Sequence, residues 1–123
     1  MSRKRRQLVR RITELNESSA LLRERLRRYE KTMVVIARRL ENGELAIAAS
    51  QGTAIPSQRR QVTEAIEDFE AARHNLRLAL FALGKEEGAS ISEIGRVLGI
   101  SRQLASRLAT EAADRQLRGS GPN

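Results

Sequence analysis

Ten positions between Leu8 and Leu40 do most to limit what this chain can fold into. Leu8, Ile12, Leu15, Ser19, Leu22, Leu26, Tyr29, Met33, Ile36 and Leu40 recur at alternating spacings of four and three residues. On a helix, that spacing draws one apolar line down one side, the seam of a coiled coil sustained over several heptads. At 1.5 Å rise per residue the line runs for about 50 Å. A strip so long and narrow has to be covered by another helix, because apolar surface left wet forgoes about 25 cal/mol per Å². Ser19, with Asn16 and Ser18 beside it, is a soft spot in the seam. The cover could come from a second helix of the same chain, as a hairpin, or from a second copy. Of the two we expect a homodimer through Leu15, Leu22, Leu26, Tyr29, Met33 and Ile36, with its strand direction open.

The pattern stops at Asn42-Gly43, and Gln51-Gly52, Thr53 and Pro56 mark a loop in which Ala46 to Ala49 could form a helical turn. A second long helix is expected from near Ser57 to Leu83, carrying Val62, Ile66, Phe69, Leu76, Leu80 and Leu83 at four–three spacing with Arg73 interrupting. Near its end Leu78, Ala79, Phe81 and Ala82 widen the apolar surface to most of the circumference, so this end should be buried on several sides. Gly84 and Gly88 are expected to close it. The reading is therefore all-α: a basic coiled-coil helix over 1–42, a linker over 43–57, a helix leading into a tri-helical helix-turn-helix over 58–118, and a disordered tail over 119–123.

The stretch from Ser90 to Ala109, SISEIGRVLGISRQLASRLA, carries the functional signal. Ser90 and Glu93 form a capping box that starts a short helix. Ile94, Val97 and Leu98 give that helix an apolar face, and Gly95 permits close approach to a partner helix. Gly99 stops it, since glycine takes the left-handed conformation without steric cost. Ile100 plugs the turn into the core and Ser101 is a good N-cap for a second helix. Leu104, Ala105 and Leu108 form that helix's buried face. Arg102, Gln103, Ser106 and Arg107 remain outside, and these side chains can hydrogen-bond base edges and phosphates.

With Gly95, Gly99, Ile100 and the apolar set Ile94, Leu98, Ala105 and Leu108 in place, the chain resembles the helix-turn-helix of bacterial repressors. It also looks like the DNA-binding end of sigma factors. The resemblance covers roughly residues 73 to 114, and Ala105 is smaller than the Val or Ile usual at its place. It implies that the second helix is a recognition helix, with Arg102, Gln103 and Arg107 for base contact and Ser101 and Ser106 nearer phosphate.

Charge adds a second element. The whole chain of 123 residues has a formal net charge of +8. Residues 1 to 40 hold 13 Lys and Arg against 4 Asp and Glu, while the rest of the chain holds 10 against 11. A cationic N-terminal segment on a chain that also reads DNA suggests sequence-blind phosphate contacts from Arg3, Lys4, Arg5 and Arg6, with Arg96 as an addition. The same charge could equally be a solvated face that keeps a long helix soluble.

Composition excludes other classes. Aromatic residues are 2% and Trp is absent, so no platform for stacking single-stranded bases exists. Without cysteine there is no disulfide, thiol nucleophile or thiolate metal site. His74, the only histidine, sits on a helix with no nucleophile elbow, and reads as a partly exposed helix residue. The expected protein is not an enzyme and calls for no cofactor and no metal. The basic start lacks the apolar segment of a signal peptide. Leu78 to Leu83, the longest apolar run, is far short of a membrane span, so a cytoplasmic, nucleoid-associated protein with no membrane partner is expected.

The function expected from these residues is sequence-specific double-stranded DNA binding by a small dimeric bacterial or phage transcription regulator. Its two recognition helices would meet half-sites about 34 Å apart or a multiple of that. Two other readings stay open: an architectural nucleoid protein whose basic coiled coil coats DNA, and a coiled-coil module that acts on a protein of the transcription machinery.

Overall fold

The computed structural model describes residues 1–119. Among these residues there are five helices and no strand: α1 (Arg3–Glu41), α2 (Ala46–Ser50), α3 (Ile55–Glu86), α4 (Ile91–Leu98) and α5 (Arg102–Gly119). The all-α reading holds, with a long N-terminal helix and a helical C-terminal region. The short helix inside the connection stands where Ala46 to Ala49 lead one to expect it. Gly119, where the disordered tail is expected to begin, ends α5, and the rest of that tail lies outside the described residues.

Two of the helix ends differ from expectation. α3 begins at Ile55, with Pro56 in its first turn, where a missing N–H costs nothing because that donor would have no helical partner. It also runs past Gly84 to Glu86. Gly84 is not a stop. It is a buried contact, since a Cβ there would fall 2.8 Å from Cδ1 of Ile94. Helix propensity marks such a glycine as an interruption, whereas packing uses it to let α4 lie close against α3. The actual stop is Gly88 alone, whose N–H bonds the Lys85 carbonyl while that of Ala89 bonds the Gly84 carbonyl.

The chain divides into two units, one formed by Met1–Leu15 together with the chain from Ala72 onward, the other by Asn16–Ala71. In the first, Leu78, Phe81, Ile94, Ala105, Leu108, Ala109 and Ala112 form a contiguous core, with Leu98, Ile100 and Leu104 packed on it. The end of α3 therefore meets both α4 and α5, as the widening of its apolar surface requires. Phe81 has no exposed surface at all. His74 and Asn75 of α3 brace α5 from its polar side: His74 Nε2 lies 2.6 Å from Glu111 Oε2, and Arg115 donates to Asn75 at 3.0 Å.

In the second unit the later part of α1 and the first part of α3 form an antiparallel hairpin closed by the segment that carries α2. The Thr32 hydroxyl lies 2.7 Å from Gln58 Oε1 between the two helices, and Arg39 holds α2 by donating to the Ala49 carbonyl at 3.2 Å. The covered line of α1 runs through Leu22, Arg25, Tyr29, Thr32, Ile36 and Arg39. Leu22, Tyr29, Met33 and Ile36 of the sequence seam are at least half-buried by this hairpin. Leu26 and Leu40 of the same seam are 38% and 45% exposed.

Candidate nucleic-acid interface

The α4–α5 element is built by local chemistry at each joint. The Ser90 hydroxyl oxygen accepts the Glu93 N–H at 3.1 Å, which is the N-cap half of a capping box, and the same hydroxyl donates to the Glu93 carboxylate at 3.2 Å. α4 ends at Gly99, whose φ of 68° is the left-handed region. The Gly99 N–H bonds the Arg96 carbonyl and the Ile100 N–H bonds that of Gly95, both at 3.1 Å, so the turn leaves neither donor unpaired. Ser101 then caps α5 by accepting the Leu104 N–H at 3.1 Å.

The angle between the two helices rests on two small residues. A Cβ at Gly95 would stand 3.1 Å from the Ala105 Cβ, so α4 and α5 meet almost backbone to backbone. Ala105 is 1% exposed. A Val or Ile at that place would need room that the Gly95 contact does not leave.

This packing sorts the side chains of α5. Ala105 and Leu108 are buried and Leu104 is half-buried, while Arg102, Gln103, Ser106 and Arg107 are exposed. Arg96, Ser101 and Arg102 converge with Ser92 on a notch of about 110 Å³ at the joint, floored by Gly95, Ile100 and Ala105. Two guanidinium groups thus flank the N-terminus of an 18-residue helix, where unpaired N–H groups already place partial positive charge. Further along α5, Ser106 and Arg107 share an open face with Thr110, Glu111, Asp114, Arg115 and Arg118. Basic and hydrogen-bonding groups crowd the first half of the helix. Carboxylates enter only in the second.

The N-terminal basic residues are held elsewhere in the same unit. Lys4 Nζ lies 3.8 Å from Glu86, Arg5 pairs with Glu87, and Arg6 donates to the Met1 carbonyl. Arg3 and Lys4 border a groove of about 670 Å³ whose floor includes Ala109, Ala112 and Ala113. Of the residues singled out from the sequence, the structure therefore brings Arg96, Ser101 and Arg102 to one notch and keeps Gln103, Ser106 and Arg107 on the adjoining exposed face. It does not bring Arg3, Lys4, Arg5 and Arg6 to that notch. Their partners Glu86 and Glu87 escape a reading of the sequence; adjacent acidic residues facing an adjacent basic pair is the available signal.

Among the described residues no helix is long and apolar enough to cross a membrane. Comparison with protein-family models, with curated proteins and with solved structures finds no match to this chain.

Proposed function

We propose that this protein binds double-stranded DNA by laying the first half of α5 in the major groove, and that it acts as a small dimeric regulator of transcription. The observation that carries the reading is the division of α5: Ala105 and Leu108 anchor it to the core while Arg102, Gln103, Ser106 and Arg107 stand exposed on the half that follows the turn. Arg102 and Arg107 suit the paired acceptors of guanine, and Gln103 suits adenine. Arg96 and the capped start of α5 supply phosphate contacts that fix register without reading sequence. Ser101 keeps its acceptor role inside the cap, so its remaining contribution to phosphate is as a hydroxyl donor.

Selecting bound sequences from a random duplex pool tests binding and specificity together. Enrichment of a two-part, roughly palindromic site supports the reading. Uniform retention of all sequences with a steep salt dependence would point instead to an architectural protein. The ion pairs of Lys4 and Arg5 with Glu86 and Glu87 weigh against that second reading, because DNA would have to compete with carboxylates already in place.

A further inference from the structure

We infer that the Asn16–Ala71 segment is a homodimerisation module in which two hairpins, one from each copy, stack as an antiparallel four-helix bundle. The contact is made by Leu26, Met33 and Leu40 of α1 with Val62 and Ile66 of α3. This deepens the dimer proposed above and specifies its face; it depends on DNA binding only for its use.

The segment does not close a core by itself. Among its residues only Ile36, Ala49 and Ala65 are buried apolar side chains, and two of those are alanines. A pair of helices covers one stripe on each, and any wider apolar stripe stays wet. Leu26 follows the covered Arg25 by one residue, and Ile66 follows the buried Ala65 by one residue. Each is thus rotated by the same step, in the same sense, from its covered line. In an antiparallel pair the local twofold axis carries one helix onto the other without exchanging faces, so both side chains emerge on the same face. Counting eight residues from the Thr32–Gln58 contact places Ile66 level with Glu24, about 3 Å along the axis from Leu26. Leu26 at 38%, Leu40 at 45% and Ile66 at 45% exposure are the wet part of that face.

Its size suits a second copy. From Ser19 to Leu40 the face is about 32 Å long at 1.5 Å per residue. Two helices about 9 Å apart make it roughly 20 Å wide, on the scale of the ~800 Å² each partner buries in a standard interface.

Charge also selects a copy of this chain, and one symmetry. α1 from Asn16 to Glu41 carries seven Lys and Arg with four Glu, whereas α3 from Ile55 to Ala71 carries two Arg with four Glu and Asp. With the dimer axis running along the bundle, each basic α1 has only acidic α3 helices as neighbours, one from its own chain and one from the other copy. Every neighbouring pair is then antiparallel, which also suits the helix dipoles. An axis across the bundle would set the two basic helices side by side. In the favoured arrangement Asn16 and Ala71, where the chain leaves the segment, lie at one end of the bundle in both copies.

Sedimentation of the full chain without DNA, combined with cysteine cross-linking, tests this. The chain has no cysteine, so a Leu26→Cys/Ile66→Cys double variant reports whether α1 of one copy lies against α3 of the other. It should yield covalent dimers, whereas either substitution alone should not, because equivalent positions lie across the bundle diagonal, beyond disulfide reach. Val35→Cys with Ile66→Cys should yield none, since Val35, 43% exposed, is on the other flank of the covered line. Leu26→Glu with Ile66→Glu should weaken association by about 100-fold, since buried unpaired carboxylates are costly, while helicity by circular dichroism stays unchanged. A wild-type chain that remains monomeric at high micromolar concentration overturns the inference. So does a dimer in which Val35→Cys, and not Leu26→Cys, cross-links to Ile66→Cys. A dimer that forms as described but enriches no DNA sequence would remove the DNA reading alone.

Discussion

The two units of this chain use the same kind of residue, an apolar side chain at helical spacing, to opposite ends. From Ala72 onward, the end of α3, α4 and α5 enclose Phe81 completely and bury Leu78, Leu83, Ile94 and Leu108 to 6% exposure or less. From Asn16 to Ala71, two helices run antiparallel, and Ile36 at 8% is the one large apolar side chain buried among the described residues there. Three helices around one core can surround a side chain. Two that lie side by side can only flank it. The first unit therefore contains its own core, and the second presents an incomplete one, which is the physical reason to look for its complement in another copy.

Truncating the core probes this contrast most strongly. Phe81→Ala should destabilise by about 3–5 kcal/mol, the usual cost of deleting a buried aromatic ring. Ile36→Ala should fall at the lower edge of the ~2–5 kcal/mol for a large aliphatic core residue. Denaturant melts of both variants give the comparison directly, and equal losses would mean that the hairpin holds a core as complete as that around Phe81.

Arg102→Ala and Gln103→Ala should each weaken binding to the selected DNA site by about 1–3 kcal/mol and relax its preference. Titration on the selected and on a scrambled duplex decides the matter. An equal loss on both would reassign these side chains to phosphate. The same substitutions should leave dimerisation untouched, because both lie outside the Asn16–Ala71 unit.

Gly99→Ala and Gly43→Ala put the same strain into the two units. Both glycines have positive φ, 68° and 89°, and a Cβ added at either would meet no atom within 4 Å. Each substitution should cost about 1–2 kcal/mol, the penalty of a Cβ in the left-handed region. Thermal melts should show similar losses, yet only Gly99→Ala should reduce DNA affinity, since Gly99 sets the turn into α5. A matching loss of affinity from Gly43→Ala would tie the hairpin tip to DNA binding.

The smallest effect is expected at the N-terminus. Glu86→Gln with Glu87→Gln removes two exposed ion pairs and should change stability by less than ~1 kcal/mol. If Lys4 and Arg5 reach phosphate once released, the slope of log K against log salt should steepen by about 0.9 per added contact. An unchanged slope would make these residues fasteners of α1 to α3 and nothing more.

Much of the fold can be read from local rules, for identifiable reasons. The capping box at Ser90, the stop at Gly99 and the cap at Ser101 depend on bonds between residues no more than five positions apart. The sorting of α5 into buried Ala105 and Leu108 and exposed Arg102 and Arg107 follows from helical periodicity once the helix is placed. Gly84 reads as a stop because a glycine's conformational effect is local, while its packing use depends on Ile94, ten residues on. Lys4 and Arg5 look available for phosphate because their carboxylate partners lie some eighty positions away in the chain.

By itself the sequence determined which segments are helical and where most of them start and stop, because spacing and capping act within a turn or two. It did not settle every apolar face, since Val97, expected beside Ile94 and Leu98, is 80% exposed. Only the tertiary structure decided which part of a long apolar line is covered within the chain. On α1 the covered line passes through Arg25 and Thr32 and leaves Leu26 and Leu40 outside. That choice is made by the facing helix, through the contact of Thr32 with Gln58 and the alanine at position 65 that lets the helices close. Periodicity on one helix states that a face must be covered. The register of its neighbour states how much of it is.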